Sequence, residues 1–186
     1  MIANAGSSVL VLPVSPARDH MRGPRKASVT VVEYGDYQCP FCAAAHAVVN
    51  ELQARAGDNV CFVFRHFPLT TVHPQAQVAA EAAESAAVQG RFWDMHDTLY
   101  RNQQCLEEAC LNVYAQAVHL DTSAFRADLA KHRYLPKVRE DFMSGVRSGV
   151  NGTPSFYING IRHDGPWEIR VLLAAVQRAA GEAAVR

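Results

Sequence analysis

The sequence predicts an α/β fold that carries an all-helical insertion. Three observations predict it. Short apolar, β-branched runs at 29–34 and 60–64 flank an alanine-rich stretch of helical spacing. Residues 73–148 then hold helical spacing with little β-branched content. Strand chemistry returns at 155–158, just before Asn159-Gly160, a strong two-residue hairpin signal.

The bulk properties bound the class. The chain has 186 residues, room for one domain with a sizeable core or for one domain with an insertion. Apolar residues make up 49%, and 18 basic against 18 acidic side chains give a net charge of zero. No block of like charge stands out, which weighs against nucleic acid or an anionic membrane surface as the main partner. No apolar run reaches the roughly 18 residues of a membrane span, so no membrane insertion is expected. The N-terminus lacks an early Lys or Arg, and its apolar stretch at 9–12 is shorter than a signal core of about 7–15 residues. Cytoplasm is therefore the expected compartment, with periplasm the alternative if a leader is removed. Five cysteines is an odd number, which in a reducing compartment points to reactive or buried thiols rather than a disulfide framework.

The elements follow in order. Residues 1–27 read as irregular, broken by Pro13, Pro16, Gly23 and Pro24, with 9–12 a candidate edge strand. The run at 29–34 reads as a buried strand, and Gly35-Asp36-Tyr37-Gln38 as the turn after it. Pro40 suits a first helical position, where its missing N–H has no partner to lose. The helix should run to about Arg55, with Gly57 as its stop. The strand at 60–64 follows a helix, the order of a right-handed parallel crossover. In the insertion, 75–89, 92–100, 106–120 and 124–132 each show helical spacing. Asp121-Thr122-Ser123 forms an N-cap cluster before the last of these, and a further amphipathic stretch starts at Pro136. After the hairpin at 155–163, residues 167–180 close the chain as a helix with Leu172, Leu173 and Val176 inward.

Cys39-Pro40-Phe41-Cys42 carries the chemistry. It stands at a strand-to-helix junction, with Cys39 at the mouth of the helix. The first-turn amides have no intrahelical partners and the helix dipole is positive there, so a thiolate is stabilised. The thiolate is the species that attacks disulfides, and a second thiol one turn on can close a ring with it. The pair reads as a thiol–disulfide exchange site. Half a zinc site is the poorer reading: His46 could be a third ligand, but zinc takes four and the other cysteines are distant in sequence. No metal is expected.

Three stretches together resemble a known family. They are Glu-Tyr-Gly-Asp-Tyr-Gln-Cys-Pro-Phe-Cys at 33–42, Phe-Arg-His-Phe-Pro-Leu at 64–69 and Val-Asn-Gly-Thr-Pro-Ser-Phe-Tyr-Ile-Asn-Gly at 150–160. They resemble the DsbA-like thiol:disulfide oxidoreductases of thioredoxin fold, over most of 28–180. The resemblance implies a mixed central sheet flanked by helices, with 1–72 and 149–186 as the thioredoxin-fold domain and 73–148 as a helical cap. It implies that Pro154 is a cis proline facing the cysteines.

The resemblance also assigns roles. Cys39 would be the nucleophile and Cys42 the resolving thiol. Pro40 and Phe41 would tune the pair. Phe41 departs from the His of strongly oxidising members, and Phe offers the thiolate neither charge nor hydrogen bond. Glu33 stands where the family often has a buried carboxylate that could relay the Cys42 proton. Thr153 and Pro154 would lie beside the pair and present backbone to an incoming peptide. Trp93 and His96 read as core packing first, with a substrate groove as the alternative. Cys61 reads as an apolar filler. Cys105 and Cys110 are five apart, a spacing that does not face on a helix, so a bond between them requires a loop at 103–107.

The expected function is thiol–disulfide exchange with protein or small-molecule thiols, serviced by a recycling redox partner. No dissociable cofactor is needed, because the Cys39–Cys42 dithiol carries the two electrons. In cytoplasm a reductase, isomerase or sensor would be favoured over net oxidation. The alternatives are a non-catalytic binding module on the same fold and a glutathione-dependent isomerase or transferase.

Overall fold

Strand and helix boundaries follow side-chain chemistry closely in the computed structural model, which describes residues 9–184. Part of the segment read for an export signal, residues 1–8, lies outside the described residues. The strands are β1 (His20–Arg22), β2 (Val29–Gly35), β3 (Val60–His66), β4 (Ser155–Ile158) and β5 (Ile161–His163). The helices are α1 (Pro40–Ala56), α2 (Ala76–Ala87), α3 (Phe92–Arg101), α4 (Glu108–Ala117), α5 (Thr122–Ala130), α6 (Leu135–Arg147) and α7 (Ile169–Ala184).

The five strands form one mixed sheet in the order β1-β3-β2-β4-β5. β3 lies beside β2 after the intervening α1, the connection that parallel neighbours require. The other three pairings are antiparallel, with His20 opposite Phe64, Glu33 opposite Phe156 and Tyr157 opposite Arg162. Every residue of β3 is buried, as its continuous apolar composition requires. Asn159 and Gly160 turn the β4–β5 hairpin with φ of 47° and 81°, the two positive values of a type I′ turn.

The chain forms two compact units. The sheet unit takes 9–35, 44–65 and 143–184 of the described residues; the helical unit takes 36–43 and 66–142. The division falls at 66 and 142 rather than at 73 and 148, and residues 36–43 go with the helices.

In the sheet unit, α7 lies against β2 and β4. Val31, Val32, Leu52, Val63, Leu172 and Val176 are at most 2% exposed and make its core. Burying each such side chain is worth about 1.5–3 kcal/mol. The same unit holds a buried cation. Arg65 Nε donates to Asp19 Oδ1 at 3.0 Å, and Nη2 to Asp19 Oδ2 at 3.1 Å. Its Nη1 donates to Tyr34 Oη at 3.0 Å and to the Leu12 carbonyl at 2.9 Å. Burial disfavours this guanidinium's charge, but its hydrogen bonds to Asp19 and Tyr34 and their electrostatic attraction outweigh it and hold the proton more tightly.

Two N-terminal details differ from the sequence reading. β1 was not expected, because His20-Met21-Arg22 lacks strand composition; pairing with the edge of β3 creates it. The candidate edge strand at 9–12 is a single bridge, Val9 to Ile161, with Leu10 N donating to Gly160 O at 2.8 Å.

In the helical unit, α2 packs against α3, α4 and α5. Its alanines, with Ala79, Ala82, Ala83 and Ala86 fully buried, let neighbouring helices approach closely. Asp121 caps α5, its Oδ1 accepting from Ser123 N at 2.8 Å and Ala124 N at 3.0 Å. Glu81 and Glu84 share a side of α2, and both are buried against histidines. Glu84 accepts from His66 Nε2 at 2.7 Å, and Glu81 from His132 Nδ1 at 3.2 Å.

Candidate active site

Cys39 caps α1. The turn after β2 closes when Cys39 N donates to Asp36 O at 3.1 Å. Pro40 begins the helix, and the Cys39 carbonyl accepts from Cys42 N at 3.1 Å and Ala43 N at 3.2 Å. Cys39 thus holds the position that accepts the first intrahelical bonds while staying outside the helix. Cys39 and Cys42 are both buried, at 4% and 0% exposure. The Asp36 amide donates to Cys42 Sγ at 3.5 Å. Between the thiols, Phe41 projects outward at 64% exposure.

Side chains of the helical unit fix this turn. Asp36 Oδ1 accepts the Gln38 amide at 2.7 Å, an Asx-type turn. Its Oδ2 accepts the Leu69 amide and His73 Nδ1, both at 2.8 Å. Gln38 Oε1 accepts the Gln75 amide at 2.7 Å. Gln103 Nε2 donates to the Tyr37 carbonyl at 2.9 Å and the Cys39 carbonyl at 2.7 Å. Tyr37 Oη lies 3.0 Å from His96 Nδ1. The rings of His96 and Tyr100 pack against Tyr37, and Trp93 stands edge-on to His96.

Sequence reasoning missed Asp36, Gln38, Tyr37 and Gln103 as supports. Asp36 carried a usable signal, because Asp beside Gly at a strand end favours an Asx turn. Gln103 carried none: it lies 64 residues beyond the carbonyl it touches.

The other expected positions fall as follows. Glu33 is 2% exposed within β2, so it is no solvated edge residue. The Thr153–Pro154 peptide is cis. His96 is 2% exposed, turned into the ring cluster, and Trp93 is half-buried. Two histidines not among these expected positions, His66 and His73, are hydrogen-bonded to Glu84 and Asp36. Cys61 is a free, buried thiol, and burial pushes its pKa up against the lowering effect of Arg25. Cys105 and Cys110 form a disulfide with Cα atoms 6.0 Å apart. The objection from helical spacing lapses because α4 starts only at Glu108, leaving Cys105 in a loop.

Among the described residues of the helical unit, one group of metal-ligating side-chain types comes together. His66, Glu84 and Asp141 bring buried ligand atoms within 4.8 Å of one another. These atoms already have partners within the protein: Lys137 Nζ donates to Asp141 Oδ1 at 2.6 Å, and His66 Nε2 lies 2.7 Å from Glu84 Oε1.

The fold and this cysteine turn define a class. A family model described as Thioredoxin (Thioredoxin_4) matches residues 16–178. A thioredoxin-like oxidoreductase from Silicibacter pomeroyi DSS-3 is 31% identical, with a TM-score of 0.79 over 90% of this chain and 94% of that one. Wolbachia pipientis alpha-DsbA1 has a TM-score of 0.81 over 95% and 96% of the two chains, at 21% identity. The chain belongs to the thioredoxin family, and its fold is the DsbA-like form. Among curated relatives, a Na(+)/H(+) antiporter NhaA 3 of Salinispora tropica is 49% identical over 184 residues. That match takes 99% of this chain but only 28% of the relative's length.

Proposed function

We propose that the chain catalyses thiol–disulfide exchange through Cys39 and Cys42. The observation that carries this reading is the placement of two cysteine side chains one turn apart at the start of α1. The Cys39 thiolate attacks one sulfur of a substrate disulfide, and the other sulfur leaves as a thiolate that takes a proton. Cys42 then loses its proton and attacks Cys39 Sγ, releasing the second substrate thiol. The Cys39–Cys42 disulfide forms as two electrons pass to the substrate; the reverse sequence oxidises a dithiol.

Supporting roles are proposed with it. Glu33 takes the Cys42 proton, and Thr153-Pro154 presents backbone to an extended peptide. Protein or small-molecule thiols are the substrates, a redox partner resets the pair, and no dissociable cofactor takes part. The Cys105–Cys110 disulfide weighs toward an oxidising compartment, which favours periplasm over cytoplasm. The transport named in the antiporter relatives is not assigned to this chain. Among the described residues no helix is long and apolar enough to cross a membrane.

A glutathione redox titration with thiol-trapping mass spectrometry of Cys39 and Cys42 tests the reading. A reversible two-electron couple that disappears in Cys39→Ser and Cys42→Ser is the expected result. Partner binding that survives in Cys39→Ser, with no couple in the unaltered chain, would replace it with a binding module.

A further inference from the structure

Gln103 stands where α3 gives way to α4. Asn102 caps the C-terminus of α3, and Cys105 N donates back to Asn102 O at 3.0 Å. The Cys105–Cys110 disulfide ties the loop to the first turn of α4. Tyr114 Oη, from the same helix, donates to the Cys105 carbonyl at 2.9 Å. The loop is thus held by a covalent bond and two hydrogen bonds. From it the Gln103 amide reaches the Tyr37 and Cys39 carbonyls, and a primary amide has two N–H donors for those two acceptors.

We propose that Gln103 is a positioning residue for Cys39, holding the reactive turn so that the thiolate is favoured, with the Cys105–Cys110 disulfide as its brace. This rests on the assignment of Cys39 as nucleophile. Two physical effects point the same way. The Cys39 carbonyl is the electron-rich group closest to that sulfur along the chain, and a donor at 2.7 Å draws charge away from it. The same carbonyl receives the Cys42 and Ala43 amides, so fixing it fixes the first turn whose N–H groups stabilise the thiolate. Holding Tyr37 O as well fixes the chain on both sides of Gln38.

The bland alternative is that Gln103 only fills space beside the turn. Gln103→Met separates the two, because it keeps length and bulk and removes both donors. The readout is the pH dependence of Cys39 alkylation by iodoacetamide, followed by peptide mass spectrometry on the full chain. In Gln103→Met the midpoint should rise by about 0.5–1 pH unit, the shift that losing one net hydrogen bond produces. Alkylation below the midpoint should slow by about three- to tenfold, the same shift read as thiolate fraction. Cys105→Ser with Cys110→Ser should move the midpoint the same way by a smaller amount. Circular dichroism of each variant verifies that the fold persists. An unshifted midpoint in Gln103→Met, with a reversible Cys39–Cys42 couple intact, overturns the role of Gln103 alone. An unshifted double serine variant overturns the brace. Absence of the couple in the unaltered chain overturns the exchange reading, and this inference with it.

Discussion

Asp36 Oδ2 accepts a hydrogen bond from His73 Nδ1 at 2.8 Å, joining the turn before Cys39 to the loop before α2. A carboxylate only accepts, so this geometry puts the ring proton on Nδ1. Three further atoms depend on the pair. The Gln38 and Leu69 amides donate to the same carboxylate, and Asp36 N reaches Cys42 Sγ. Asp36 is 1% exposed, so water cannot readily replace it.

Asp36→Ala should therefore cost about 2–3 kcal/mol, because hydrogen bonds to a charged group are worth about 1.5–3 and buried donors are left behind. Urea unfolding measures the loss. His73→Ala removes one donor and leaves the two amide bonds, so it should cost less. Equal costs for the two variants would show that the carboxylate matters only through its histidine.

Phe41→His should lower the pH at which Cys39 ionises. Phe41 is 64% exposed and makes room for a ring that can carry positive charge beside the thiolate, which Phe cannot do. The stabilised thiolate makes the disulfide easier to reduce, so the couple should become more oxidising. The alkylation profile and the glutathione titration read both changes. An unchanged or higher midpoint would sink the argument about Phe41.

Cys61 ties stability to alkaline pH. Burial raises its pKa in the folded chain above that of an unfolded thiol. The folded state then holds the proton more tightly, so its contribution is fully present below the unfolded pKa and is lost as pH rises through the folded one. Cys61→Ala should flatten the fall of the urea midpoint above about pH 8.5, the region where an unfolded thiol ionises. The thiol should also resist maleimide at neutral pH in the native state.

Asp19→Ala should destabilise the sheet unit by about 3–5 kcal/mol, the cost of stranding a buried charge. Arg65 and Asp19 have fully buried side chains, so neither charge finds solvent. Replacing both, as Arg65→Met with Asp19→Leu, should restore much of the loss. Chemical denaturation of the single and double variants gives the coupling.

The fold was legible where one local rule governed a segment. The β-branched runs, Pro40 at a helix start, the Asp121 cap and Asn159-Gly160 each specify their own geometry. The cysteine turn was legible for the same reason: its thiols, its proline and its helix are contiguous. What stayed hidden depends on partners far along the chain. β1 exists because β3 offers an edge, and His20-Met21-Arg22 has no strand preference to announce it. Gln103 and His73 hold the turn from 64 and 37 residues away. The Cys105–Cys110 bond turned on where α4 begins, a boundary of two residues that composition does not fix.

The Arg65 cluster sets the true extent of this module as a transplantable part. The family match starts at residue 16. Yet Arg65 donates to the carbonyls of Leu12 and Pro13, and the Val11 amide donates to Ser148 Oγ at 3.0 Å. A hybrid protein spliced at residue 16 would keep every cysteine, Asp19 and Tyr34, and lose the two backbone carbonyls that help solvate the buried Arg65 cation. The irregular segment ahead of the match is therefore part of the folding unit: a splice that moves this domain has to move residues 11–13 in register with it.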